Sequence, residues 1–256
     1  MGRVVFIGAG PGAADLITVR GARLLAQADV VLFDALTDPA LRELAPQARW
    51  LHVGKRGFAD STGQQTINAL LVKHAGKAGL VVRLKGGDPS VFGRLEEELD
   101  ALTQAGIPCE VVPGVTAALA AAADTRRPLT RRGHGRSVSL ATAMTREGEL
   151  HASRSADTEV FYMAGRQLGA LARRLLAAGW PPDTPASVVS RAGWPDVRHT
   201  SHRLAELGQA ALLHAGRPTV VSVGAGASAL AGQALAKSGN DPTVDHCQVR
   251  TTVPRP

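Results

Sequence analysis

Cysteine is scarce in this sequence. The two that occur, Cys109 and Cys247, lie far apart and form no metal-type spacing, which argues against a disulfide framework or a zinc site. Cys109, within CEVVP, reads as a small buried residue. Aromatic residues are also few, 4% of the chain with one Tyr and five Phe. That leaves little surface for stacking nucleic-acid bases, and no nucleic-acid-binding motif is present. No apolar run approaches the roughly 18 residues needed to cross a bilayer. Met1 to Ile7 lead straight into a strand pattern without the charge-then-apolar layout of a secretory leader. The expectation is a cytoplasmic protein with neither a membrane nor a nucleic acid as partner.

Acidic residues are outnumbered, leaving a net charge of +7, and the resulting field attracts anions without choosing among them. Hydrophobic residues make up 45% and charged residues 20%, enough apolar matter for a packed core and too little charge for a disordered chain. At 256 residues the chain exceeds the usual single-domain size, so one or two α/β domains fit best.

Short β-branched runs alternate with Ala/Leu-rich stretches of helical period, the pattern of α/β domains with largely parallel sheets. Strands are expected at Val4 to Ile7, Val30 to Phe33, Trp50 to Val53, Val81 to Leu84, Glu110 to Val112, Val138 to Ala141, Val160 to Met163, Ser187 to Ser190 and Val220 to Val223. Helices are expected at Asp15 to Gln27, Pro39 to Leu44, Gln64 to Ala75, Gly93 to Ala105, Val115 to Ala123, Gln167 to Ala178 and Leu204 to Leu213. An Ala-rich helix gives way near residues 120–135 to DTRRPLTRRGHGR, which sets the expected division: an N-terminal α/β domain over 1–120 and a C-terminal one over 121–236. Periodicity is lost from Lys237, and 237–256 reads as a disordered tail.

Two loops carry the first chemical signal. VVFIGAGPGAADL places Gly8, Gly10 and Gly12 between a strand and a helix, where glycine permits a tight turn and close approach of a ligand to backbone. A dinucleotide site is one reading, but Pro11 removes a backbone donor and the spacing G-A-G-P-G departs from G-x-G-x-x-G, which points to a ligand without pyrophosphate. A strand-to-helix turn also needs glycine for steric reasons alone. RLKGGDPSVFGRLEEEL follows the fourth strand, and loops at the carboxyl ends of parallel strands are where α/β folds bind ligands, although a bare GDP turn is common in any protein.

GAGPGAADLITVRG, DALT at Asp34 to Thr37, VGKRG at Val53 to Gly57, QQTIN at Gln64 to Asn68, LKGGDPSVFGRLEEE, VPGVTAALAAAADTRRPLTRR and EVFYMAGRQL, in this order and spacing, resemble the tetrapyrrole methyltransferase family over residues 3–225. VGKR, KGGDPxVFGRxxEE and PGxTAA are similar to its members that act on uroporphyrinogen III. The resemblance implies two α/β domains with a cofactor cleft between them, S-adenosylmethionine as methyl donor, no metal, and a homodimer. It implies methylation of uroporphyrinogen III at carbons 2 and 7, giving precorrin-2 through precorrin-1 for sirohaem or cobalamin synthesis.

The resemblance also implies cofactor contacts at Pro11, Gly86, Gly87, Asp88, Val91, Thr116, Ala117, Met163 and Gly193, a proton acceptor at Asp34 and a proton donor at Lys55. Read by themselves, some of these residues have plainer roles. Met163 could end a buried strand, Asp34 could cap the next helix, and Lys55 with Arg56 could be a solvated basic turn. As a site, Arg56 with Lys55 would hold the acetate or propionate arms of the substrate. Arg131 and Arg132, in the densest basic stretch, are expected to line the substrate cleft, since guanidinium binds carboxylate with two parallel hydrogen bonds. The likeness weakens at Arg191 to Arg198, where RAGWPDVR stands in place of the family's Asn-Gly-Thr and following Pro-x-Gln and only Gly193 is retained.

Overall fold

The computed structural model describes residues 2–54, 63–143 and 152–230. The expected tail lies outside them. The chain builds two five-stranded sheets, one after the other.

The first sheet takes β1 (Arg3–Gly8), β2 (Val30–Phe33), β3 (Arg49–His52), β4 (Leu80–Lys85) and β5 (Cys109–Val112) in the order β3-β2-β4-β1-β5, all parallel. Near-continuous runs such as VVFI and LVV are what a parallel sheet covered on both faces requires. Alternate residues serve the two faces. Val5, Ile7, Val31, Val82 and Leu84 pack towards α1 (Val19–Leu25) and a 3-10 turn at Pro39–Leu44, whereas Val4, Phe6, Leu32 and Val81 pack towards α2 (Gln64–Ala75) and α3 (Leu95–Gln104). Each large aliphatic side chain fully buried here contributes roughly 1.5–3 kcal/mol. The connections leaving β1 and β4 run to opposite sides of the sheet, which opens a crevice at the carboxyl ends of these two neighbours.

The second sheet takes β6 (Val138–Thr142), β7 (Thr158–Tyr162), β8 (Pro185–Ser190), β9 (Arg198–Arg203) and β10 (Thr219–Gly224) in the order β6-β7-β10-β8-β9. Only β6 and β7 are parallel, which corrects the expectation of largely parallel pairing. Strand β9, RHTSHR, was not expected. It is an edge strand whose residues are all polar, so it carries no apolar alternation to read. One face of this sheet packs on α5 (Leu168–Ala177) and a 3-10 segment at Leu204–Ala211, with Phe161, Leu171, Leu175, Val188 and Val221 at its centre. The other face is covered by the Ala-rich α4 (Ala117–Thr125), where Ala118, Ala120 and Ala121 meet Val160, Tyr162, Val189 and Val220.

Several boundaries move for local reasons. The stretch expected as one helix over Asp15 to Gln27 divides into a 3-10 turn at Ala14–Leu16 and α1, because the Thr18 side chain accepts from Gly21 N at 3.1 Å and starts a new helix. Helix α3 begins at Leu95 because Arg94 has φ +54°. Strand β7 ends at Tyr162 because Met163 has φ +58°. Cys109 is exposed, contrary to the expectation of a buried thiol.

Candidate active site

The loops after β1 and β4 are tied to each other by backbone. Gly10 N donates to Gly87 O at 3.3 Å and Gly87 N to Gly10 O at 2.7 Å. Both residues have positive φ, +80° and +72°, which glycine alone adopts without cost. Most N–H groups of the glycine loop are bonded within the protein. Ala9 N bonds Lys85 O, Gly10 N bonds Gly87 O, Ala13 N bonds Gly193 O at 2.7 Å, Ala14 N bonds Asp38 Oδ2 at 3.2 Å, and Pro11 has no N–H. Among the described residues only Gly12 N of the loop is left without a partner, too few free donors for a pyrophosphate nest.

The KGGDP turn is held by its own acid. Asp88 accepts from Ser90 N through Oδ1 and from Gly114 N through Oδ2, each at 2.8 Å, fixing the turn to the segment after β5. Asp88 therefore anchors two loops. Gly86 lies against Leu36, and a Cβ added at Gly87 would sit in ordinary van der Waals contact with Thr116 Cα at 3.9 Å and Val115 O at 4.0 Å, so the loops after β4 and β5 meet here without crowding. Val91 packs against the α4 cluster together with Ala117. A depression of about 440 Å³ continues along the start of α3, lined by Pro89, Phe92, Arg94 and Glu97 among others.

The second sheet delivers its contribution from the carboxyl ends of β7 and β8. Thr116 Oγ1 and the Tyr162 hydroxyl are 2.7 Å apart. Burial pushes the Tyr162 hydroxyl above its ordinary range, so it remains protonated at neutral pH. Met163 is 53% exposed in a left-handed conformation, which removes the plain-core reading of this residue. The Phe92 ring packs 5.0 Å from Tyr162 and is itself 43% exposed, so apolar surface is presented at the mouth of the crevice.

Gly193, with φ +76°, touches the glycine loop directly: a side chain at Gly12 would come within 2.6 Å of Gly193 backbone. Asp124 on α4 accepts from Gly193 N at 2.8 Å, and the Trp194 indole donates to Pro11 O at 2.9 Å. Arg191 stacks over that indole at 4.3 Å and pairs with Asp196 at 2.7 Å. Trp194 is a contact between the two sheets that sequence reading missed. It lies in the stretch that departs from the family pattern, and an isolated Trp among polar residues was its only signal.

Asp34 follows β2 at the carboxyl edge. Its carboxylate accepts from Arg83 Nη2 at 2.6 Å, while the nearby 3-10 turn is capped by Asp38, so Asp34 is not a cap. Arg83 and Lys85 lie two residues apart on one face of β4 and both reach Glu98 on α3, at 2.9 and 2.5 Å. Burial, with the charge of Arg83, pulls the Lys85 ammonium below the ordinary lysine range against the pull of Glu98. This cluster was not anticipated, although two cations on one face of an apolar strand are a signal that a buried acid is needed.

Lys55 and Arg56 lie outside the described residues. Arg131 and Arg132 are not brought to these loops. Their turn abuts Ala225, and Leu129 just before it accepts from Thr158, at the start of β7. Met163 follows the other end of that strand, roughly 15 Å away. Arg131 donates to the carbonyls of Ser228 and Ala229, and the neighbouring Arg127 to Ala227 O at 2.9 Å and Ser201 Oγ at 2.8 Å. Thus the basic stretch ties down the segment after β10.

Carboxyl-edge loops of a parallel α/β sheet that meet those of a second sheet form the kind of edge at which α/β enzymes bind their ligands. Comparison with known proteins makes this specific. The profile of the tetrapyrrole (corrin/porphyrin) methylases matches residues 3–208. The chain is 43% identical over 210 residues to uroporphyrinogen-III C-methyltransferase of Pseudomonas aeruginosa, covering 80% of this chain and 86% of that protein. It is 44% identical over 201 residues to the siroheme synthase of Hahella chejuensis, covering 76% of this chain but only 43% of that longer protein. The crystal structure of uroporphyrin-III C-methyl transferase from Thermus thermophilus complexed with S-adenyl homocysteine superposes with a TM-score of 0.77 at 37% identity, covering 88% of this chain and 98% of that one. The chain belongs to the tetrapyrrole methylase family and is a methyltransferase.

Proposed function

We propose that this chain methylates uroporphyrinogen III at carbons 2 and 7 with S-adenosylmethionine, giving precorrin-2 through precorrin-1 for sirohaem or cobalamin synthesis, and that it works as a homodimer. The observation that carries the choice of donor is that four N–H groups of the glycine loop, those of Ala9, Gly10, Ala13 and Ala14, are bonded within the protein and Pro11 has none, which disfavours a pyrophosphate nest and suits a phosphate-free adenosyl ligand. The exposed apolar faces of Met163 and Phe92 fit an adenosyl group and a sulfur-bearing chain.

In this reading Pro11, Gly86, Gly87, Asp88, Val91, Thr116, Ala117, Met163 and Gly193 hold the donor, which supplies an electrophilic methyl group, one equivalent for each carbon methylated. The protein's main task is to hold the pyrrole carbon and the methyl group in near-attack geometry, worth on the order of 7–11 kcal/mol in well-oriented cases. Once its carbon is methylated the ring is cationic and must lose a proton from a bridging carbon. Asp34, with one oxygen fixed on Arg83, takes that proton, and Lys55 serves as proton donor. Arg56 is retained as a contact for the substrate's carboxylate arms.

Incubation with uroporphyrinogen III and methyl-labelled S-adenosylmethionine tests the proposal. Two labelled methyl groups per tetrapyrrole are expected. No label in this tetrapyrrole, with label entering a later precorrin instead, would assign the chain to another step of the same chemistry and overturn the substrate named here.

A further inference from the structure

We propose that Glu98 is a positioning residue for Asp34, acting through Arg83 from a fully buried place on α3; this rests on the reading of Asp34 as the base. The side chains of Arg83, Lys85 and Glu98 are 3%, 4% and 0% exposed, while that of Asp34 is 27% exposed, so Asp34 is the one member of the cluster that reaches the crevice. Two cations meet two carboxylates, and the buried cluster is neutral as a whole.

Arg83 has several rotatable bonds and could not aim its guanidinium unaided. Every edge of the fork is fixed. Nε donates to Glu98 Oε1 at 2.9 Å, Nη1 to the carbonyls of Leu84 at 3.2 Å and Leu32 at 3.4 Å, and Nη2 to Asp34 Oδ1 at 2.6 Å. Glu98 is in turn pinned through its other oxygen by Lys85 Nζ at 2.5 Å. Asp34 therefore depends on Arg83, Arg83 on Glu98, and Glu98 on Lys85. Among the described residues Asp34 Oδ2 has no hydrogen-bond partner, so one oxygen is held and the other is left to meet a proton.

A cluster of this kind that served stability alone would not act through Asp34, and a double-mutant cycle separates the two roles. Single-turnover methyl transfer is measured for Glu98→Gln, Asp34→Asn and the double variant, with S-adenosylhomocysteine affinity and thermal unfolding recorded for each. Glu98→Gln is expected to lower kcat about 10- to 100-fold, the scale of a small misplacement of a catalytic group, with KM and ligand affinity nearly unchanged. In the Asp34→Asn background the same change is expected to add little. An equal loss in both backgrounds, or full turnover for Glu98→Gln, overturns the positioning role. Full turnover for Asp34→Asn alone overturns instead the reading of Asp34 as base. Arg83→Lys, which keeps the charge balance and loses the fork, carries the same cycle if Glu98→Gln does not fold.

Discussion

The two sheets differ in where they send their loops. All five strands of the first run parallel, so the glycine loop, Asp34, the KGGDP turn and the segment before α4 leave from one edge. The second sheet is mostly antiparallel and divides its connections between two ends. Met163 and Gly193 emerge beside the first sheet's loops, whereas the Arg131–Arg132 turn emerges at the far end. Parallel topology gathers a site from many segments, and antiparallel topology contributes a few contacts and uses the rest of its polar residues for its own framework.

The contrast can be broken most sharply where the two sheets touch. Gly12→Ala places a methyl group within 2.6 Å of Gly193 backbone, where neither side can yield as a flexible side chain would. The expected result is a loss of about 1–3 kcal/mol in unfolding free energy together with weakened S-adenosylhomocysteine binding, checked by denaturant unfolding and calorimetry. Unchanged ligand affinity in a folded variant would show that this contact does not shape the site.

The second sheet also carries a pH dependence centred on a buried histidine. His214 is fully buried between Thr200 and Ser190, and burial, with the charges of His202, Arg217 and Arg198, depresses its pKa from 6.5 to about 4. A depressed folded pKa means that the fold favours the neutral ring. Its stabilisation is complete above pH 6.5 and is lost as the pH falls from there towards 4, by on the order of 2 kcal/mol for this group. Thermal unfolding followed between pH 7.5 and 4.5 should show this fall, and His214→Gln should make it shallower, the remainder coming from His199, also depressed to about 4. An equally steep fall in that variant would place the sensitive group elsewhere.

Smaller effects sharpen the picture. Trp194→Phe keeps an aromatic ring under Arg191 and removes the bond to Pro11 O, so about 1 kcal/mol of stability and a few-fold in ligand affinity are expected to go. Arg132→Ala, at the far end, should leave substrate KM within about twofold and stability within about 0.5 kcal/mol. A tenfold rise in KM would mean that the far end reaches the substrate and would erase the contrast between the two ends.

How much could be read from sequence follows the same division. The nine expected strands all form, since β-branched runs buried on both faces are a strong signal, and the glycine and KGGDP loops meet as their positions between strand and helix suggested. Strand β9 was hidden because edge strands need no apolar residues, and helix ends shifted where Thr18 and Arg94 imposed local geometry. The placement of Arg131 could not be read, because a basic stretch has the same composition whether it meets a ligand or main-chain carbonyls. The Asp34–Arg83–Glu98–Lys85 cluster required knowing that α3 lies on the face of β4 bearing both cations. Sequence spacing supplies the alternation along β4 but not the identity of the helix that covers it.

The shared edge of the two sheets, in the reading proposed above, takes an adenosyl methyl donor in preference to a dinucleotide. Calorimetric titration of the protein with S-adenosylhomocysteine and, separately, with NAD tests it most directly. Saturable one-to-one binding of S-adenosylhomocysteine and none of NAD is expected. Binding of NAD, or a flat titration with S-adenosylhomocysteine, would contradict it.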